Sequence, residues 1–409
     1  MDWEELAHRA GSVFTPASPV TEESLFAGRT AELRRILDAV NQRGQHAIVF
    51  GEPGVGKTSL SWIISTKIRR PGTDLLTPRV NCDGADDYTS LWRKVLAEID
   101  LIQERPAIGF QFSIFRDTIK AAETLPNPAS PDDIRRMLTL ISDSASVIVV
   151  IDEFDRIENE QTRRAMADTI KTLSDNIVPA TLVLVGVADS VEQLIAEHRS
   201  VERALVQIPM PRMSRQELHQ VIEKGLDRLG MRIEEEANKS IAILTQGLPH
   251  YAHLIGLHSA RAALEARTLT VSMPYVEHAI RQAVGDVQHS IRSAYSRAVS
   301  SNQSDNIFSH VLLACALART DSLGYFTASD VCEPLTQVTG KPYETPGFHR
   351  HVKQFCTAQR ASVLSAKGEA RKRRYRFGNP LMQPYIIMQG LIDKRIDSKT
   401  LERETLSNF

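Results

Sequence analysis

The 409-residue chain is 42% hydrophobic and 24% charged, with a formal net charge of −1, the balance of an ordinary soluble protein of two or three domains. That near-neutral total excludes a global electrostatic pull towards nucleic acid, so any such binding must come from a local patch. Cys82, Cys315, Cys332 and Cys356 form no C-x-x-C pair, which argues against a zinc site or a disulfide framework; with no signal-peptide core and no apolar run that could span a bilayer, a cytoplasmic protein without a membrane partner is expected.

Residues 1–28 contain Phe14-Thr15-Pro16-Ala17-Ser18-Pro19 and then Leu25 to Gly28. The prolines predict an extended arm rather than a helix, and Phe14 and Phe26 favour a packed arm over a disordered tail. Thr30 is a candidate N-cap for a helix with Leu33, Ile36, Leu37 and Val40 on its apolar stripe.

Ala47 to Phe50 reads as a strand, and Leu60, Ile63, Ile64 and Ile68 recur at helical spacing. Between them Gly51, Glu52, Pro53, Gly54, Val55, Gly56, Lys57 and Thr58 fit G-x-x-x-x-G-K-[ST] in full, and Ser59 follows. Glycines there let backbone N–H groups converge on phosphate oxygens, and the following helix aims its positive end at the same anion. Lys57 suits the β- and γ-phosphates, and the Thr58 hydroxyl suits Mg²⁺. The stretch predicts ATP binding, with the arm of residues 1–28 against the base.

Leu75 to Val80 reads as a strand ending at Asn81, and Tyr88 to Leu101 as an amphipathic helix. Residues 102–131, rich in proline around a short helical pattern, read as an edge insertion. Pro131 then opens a helix through Ile141.

Val147 to Ile151 is a run of β-branched residues, the signature of a strand buried on both faces of a parallel sheet. Asp152 and Glu153 stand at its C-terminal end, where ligands bind open α/β sheets. Asp152 suits Mg²⁺ and Glu153 suits the attacking water. Asp155 and Arg156 are assigned to the loop or a neighbouring subunit. Ala180 to Val187 is another buried strand, Val206 to Ile208 a further one, and Ser214 with Glu217 makes a capping box.

Strands alternate with helices up to this point and helices follow alone, so a boundary belongs near residue 210. The expected division is residues 1–210 (core with N-terminal arm), 211–285 (helical lid) and 286–409. In the last part, helices over 307–318, 328–335 and 347–361 precede a hairpin with a basic tip, the order of a winged helix.

Arm, P-loop core, lid and winged helix together resemble the AAA+ branch that contains the origin-recognition ATPases and, close to it, the STAND signalling ATPases. The resemblance implies an α/β P-loop AAA+ core with a parallel sheet, an all-α lid and a winged-helix domain. It implies a Mg²⁺-dependent ATPase, with Gly28 and Arg29 on the adenine side and Asn81 restraining Glu153. Asp189 takes the place of the first phosphate sensor, a departure because a carboxylate repels the γ-phosphate unless a cation or proton intervenes; Ser190 is the substitute. Pro249 and His250 stand at the lid's sensor, in a glycine–x–proline setting typical of STAND proteins. Arg199 and Arg203 lie where an arginine finger would reach a neighbouring subunit's nucleotide, implying a nucleotide-dependent homo-oligomer.

Two readings of the winged helix compete. Arg350, Lys353 and Arg360, with Lys367, Arg371, Lys372, Arg373 and Arg374 on the hairpin, would hold the phosphates of double-stranded DNA. Alternatively the module gates assembly or recruitment of a separate protein effector, and the basic run is a solvated face. The first is preferred: an ATP-driven switch, hydrolysing slowly, that controls DNA engagement.

Overall fold

Each residue from Val147 to Ile151 is at most 1% exposed, which is possible only if both faces of the strand are covered. The computed structural model shows how. It describes residues 2–22, 25–67, 75–106, 114–143, 145–195, 201–301, 307–321, 323–369, 372–397 and 401, with side chains except at 66–67 and within 102–119. The strands are β1 (His46–Gly51), β2 (Leu75–Leu76), β3 (Arg79–Asn81), β4 (Asp100–Pro106), β5 (Ile114–Lys120), β6 (Ser146–Asp152), β7 (Ala180–Val187) and β8 (Leu205–Pro209). Six of them make a parallel sheet in the order β2–β6–β7–β1–β8, with β3 also paired to β6. The fold class is the expected one, an α/β P-loop core with a parallel sheet.

By its internal contacts the chain divides into two units: residues 29–51 with 57–210, and residues 1–28 with 52–56 and 211–409. In the first, helices Tyr88–Ala97, Pro131–Ser142 and Glu160–Asp175 bury Leu91, Trp92, Ile134, Leu138, Met166 and Ile170 in one core with Val149 and Ile151. Asp87 with Ser90, and Ser130 with Asp133 behind Pro131, form capping boxes; a cap of this kind contributes about 1 kcal/mol. In register, Gly51 lies opposite Val187 and Asn81 opposite Asp152. The P-loop and the two acids therefore leave the same end of the sheet.

The second unit holds helices Arg215–Arg228, Glu235–Leu244, Pro249–Glu265 and Met273–Asp286. Ser214 caps the first through the expected box with Glu217. The terminal part has helices Ile307–Leu317, Cys332–Thr339 and Thr345–Phe355, then strands Leu364–Lys367 and Arg374–Phe377, which pair antiparallel. Phe326–Thr327 adds a third strand, and helix Met382–Ile392 closes the module.

Several expectations are corrected. The arm is not extended throughout: Trp3–Val13 is a helix, capped by the Asp2 carboxylate. Its prolines begin only at Pro16, so they stop the helix rather than prevent it. Phe14 is 1% exposed and packs on the lid, where a Cβ on Gly225 or Gly256 would stand 2.4 or 2.7 Å from its ring. Arg29, not Thr30, occupies the N-cap position, in left-handed backbone at φ 56°. The helix from Tyr88 ends at Ala97, and the insertion opens as the antiparallel hairpin β4–β5 rather than a helix. The lid is not purely helical, because Arg232–Ile233 and Thr270–Val271 pair as short parallel strands.

Candidate nucleotide-binding site

Gly54 and Gly56 have φ of 81° and 96°, conformations that side chains with a Cβ rarely adopt. They turn the chain from β1 into helix Lys57–Lys67. Gly51 is needed for a different reason: a Cβ there would fall 2.4 Å from the Met210 carbonyl oxygen. Lys57 is 8% exposed and its ammonium donates to the Gly51 carbonyl at 3.0 Å. The ammonium is thereby held at the C-terminal end of β1.

Asp152 is 2% exposed. Its Oδ1 accepts the Glu153 amide at 2.9 Å. Its Oδ2 accepts the Arg79 guanidinium at 2.7 Å and lies 3.2 Å from the Ser61 hydroxyl. Glu153 adopts left-handed backbone at φ 55°, and its carboxylate pairs with Arg156 at 3.0 Å. Asp155 Oδ1 accepts the Val187 amide at 2.7 Å, tying the end of β6 to the end of β7. Asp155 and Arg156 thus serve this loop. Cys82 follows Asn81, and burial with nearby Asp86 pushes its thiol up to about 12, so it is not a nucleophile.

The donor set suits Mg²⁺, which takes hard oxygen ligands and keeps waters and phosphate oxygens around it. Thr58 would supply a hydroxyl and Asp152 a carboxylate. Among the described residues no group of three or more His, Cys, Asp or Glu could cage a metal alone.

The turn of the P-loop has its own partners, all in the unit that contains it. Glu52 is 6% exposed, and Arg212 donates to its Oε2 from Nη2 at 3.0 Å and Nε at 3.2 Å. The third nitrogen of Arg212 donates to Gln383 Oε1 at 2.6 Å and the Gln246 carbonyl at 3.3 Å. Gln383, 1% exposed, donates in turn to the Ala316 carbonyl at 2.8 Å. A Cβ on Gly56 would lie 3.8 Å from Pro249 Cγ, and one on Gly54 3.4 Å from Leu381 Cδ2. Tyr251 donates to the Leu381 carbonyl at 2.7 Å.

Arg79, Arg212 and Gln383 were not foreseen. Arg79 was findable: alternation puts it on the face of β3 that carries Asn81. Arg212 lies 160 residues from Glu52, and Gln383 a further 171 residues from Arg212, and no local pattern links them.

Other expected residues have different surroundings. His250 Nδ1 donates to the Pro16 carbonyl at 2.8 Å, and burial lowers its pKa, so the ring is a neutral tether for the arm. Arg29 is 1% exposed and pairs with Glu32 at 3.3 Å. The Asp189 amide donates to Gln193. Arg203 is exposed, and its carbonyl accepts from Gln45. Arg199 and Arg371 lie outside the described residues. Arg350, Lys353, Lys367, Lys372 and Arg374 are exposed and Arg373 is half-buried; Arg374 pairs with Asp321 at 2.8 Å. Arg360 is not available to DNA. It donates to the Ala298 and Ser300 carbonyls and stacks 3.6 Å over Phe308.

No curated protein matches the sequence. Among solved structures, the Walker-type ATPase of Pyrococcus abyssi is similar at TM-score 0.52 and 14% identity, over 91% of this chain and 99% of that one. At that identity the likeness shows the fold alone. The Aeropyrum pernix ORC2 protein, solved as ADPNP–ADP complexes, has TM-score 0.49 and 15% identity over 96% of this chain and 98% of that one. Thermotoga maritima RuvB, the Holliday junction branch migration motor, has 0.42 and 15% over 85% and 92%. The family described as Novel STAND NTPase 1 matches residues 18–315, well over half the chain and the whole P-loop core, and the protein belongs to that family of NTPases.

Proposed function

We propose that the chain is an ATP-dependent molecular switch whose nucleotide state sets whether its C-terminal module stays docked on the turn of the P-loop. One observation carries this reading: Glu52, inside the phosphate loop, is bonded to Arg212, which is bonded to Gln383 of the terminal helix. A loop that must receive phosphates is the same loop that holds the module.

In this mechanism the glycine turn and Lys57 bind the phosphates, and Gly28 with Arg29 flanks the adenine. Thr58 and Asp152 would hold Mg²⁺, which when bound neutralises charge on the β- and γ-phosphate oxygens. Glu153 orients the attacking water and takes its proton, and Asn81 restrains Glu153 until then. Arg156 pairs with the Glu153 carboxylate at the surface, a weak, solvent-screened contact that the attacking water's approach can replace; hydrolysis is proposed to be slow. Asp189 with Ser190, and Pro249 with His250, report on the phosphates. Arg203 or Arg199 of one subunit completes the site of the next when copies assemble. ADP keeps the module docked; ATP loosens it, opening surfaces for assembly and for a separate protein effector.

The test is light scattering of Glu153→Gln with ATP and with ADP. Assembly with ATP and a monomer with ADP is expected, and one size in both states would sink the gating reading. A second reading, engagement of double-stranded DNA, is supported by the exposed Arg350, Lys353, Lys367, Lys372 and Arg374. It requires duplex binding that falls steeply with salt and is lost when Lys372, Arg373 and Arg374 are neutralised.

A further inference from the structure

Both oxygens of Asp152 are already engaged before any metal is considered. Oδ2 receives Arg79 Nη2 at 2.7 Å and Oδ1 the Glu153 amide. Arg79 is not there by chance of a flexible surface chain. Its Nε donates to the Ser61 hydroxyl at 3.1 Å, its guanidinium lies 4.7 Å above the Trp62 ring, and its side chain is 14% exposed. Three contacts therefore fix a full positive charge on the carboxylate assigned to the metal side of the site.

We propose that Arg79 is a resident counter-cation of Asp152 that competes with the divalent ion for this carboxylate. Two cations cannot both take full advantage of one buried carboxylate: each weakens the field felt by the other. A buried, unpaired carboxylate is also costly, so Arg79 stabilises the site while no metal is held and sets a threshold that the metal–nucleotide complex must overcome. Arg79 is a positioning residue, acting through Asp152. The inference rests on the reading of Asp152 as the metal-side carboxylate.

The experiment is Mn²⁺ titration of the ADP-loaded full chain, with free Mn²⁺ read by electron paramagnetic resonance, for wild type, Arg79→Met and Asp152→Asn. Arg79→Met is expected to bind Mn²⁺ more tightly by roughly tenfold, the scale of one close charge in a partly screened site. It should also show a larger rise in melting temperature on adding Mn²⁺. Damage to the fold would not produce a gain in metal affinity. Asp152→Asn should weaken Mn²⁺ binding. If Asp152→Asn weakens it and Arg79→Met leaves it unchanged or weaker, the counter-cation role is overturned. If Asp152→Asn has no effect, the assignment of Asp152 fails first, and this proposal with it. Should Arg79→Met not fold, Arg79→Gln removes the charge while keeping a hydrogen-bonding head, and the same outcomes apply.

Discussion

The surroundings of Asp152 and those of Glu52 are two solutions to the same problem, a carboxylate nearly out of water. Asp152 is met by Arg79 from the neighbouring strand and by the amide of the next residue, so its partners come from the sheet itself. Glu52 is met by Arg212, which reaches on to Gln383 of the terminal helix. That partnership joins the glycine-rich turn after β1 to a helix distant in sequence. The first pair joins neighbouring strands of one sheet, and the second links segments far apart in sequence; on the proposed switch it is the second that nucleotide exchange breaks.

The comparison can be broken at its root. Lys57→Ala removes the ammonium proposed to meet the phosphates, and direct titration should show ATP binding lost altogether. Normal binding would remove the P-loop assignment. Next in size is Arg212→Met. It leaves Glu52 buried without its cation, a loss of roughly 3–5 kcal/mol for a pair of this burial, and thermal unfolding should fall accordingly. The opposite result, a melting temperature at the wild-type value, would make the pair incidental.

Both units share a dependence on pH. Burial holds His46 in β1 and His253 in helix Pro249–Glu265 at about 4, against an ordinary 6.5. Both are neutral when folded, and the unfolded chain takes up protons first. Stability is therefore level above about pH 6.5 and falls as pH drops towards 4, by about 3 kcal/mol for each ring. Denaturation midpoints at pH 7.5 and 5 check this, and equal midpoints would contradict it.

Much of the core was legible because its information is local. The glycine loop, the β-branched run of β6 and the boxes at Ser130 and Ser214 each lie within a few residues. The helix Trp3–Val13 was missed because the prolines of the arm were read beyond the stretch they govern. The hairpin β4–β5 was missed because residues 102–131 were read as one insertion around a short helical pattern, although Pro126, Pro128 and Pro131 all follow the hairpin. Arg79 needed only the alternation of β3 to be read. The Glu52–Arg212–Gln383 chain could not be read at all, since its members meet only after folding. The basic residues of the last module were legible as charge, but Arg360 shows that charge alone does not mark a surface: its guanidinium is taken up by backbone carbonyls and Phe308.

On the proposed switch, nucleotide state reaches the C-terminal module through the P-loop turn. Amide hydrogen exchange of helix Met382–Ile392, compared with ADP and with ATP in Glu153→Gln, tests it most directly. Slow exchange with ADP, faster exchange with ATP, and the faster rate in both states once Arg212→Met is added are expected. Exchange that ignores the nucleotide, with binding intact, would contradict it.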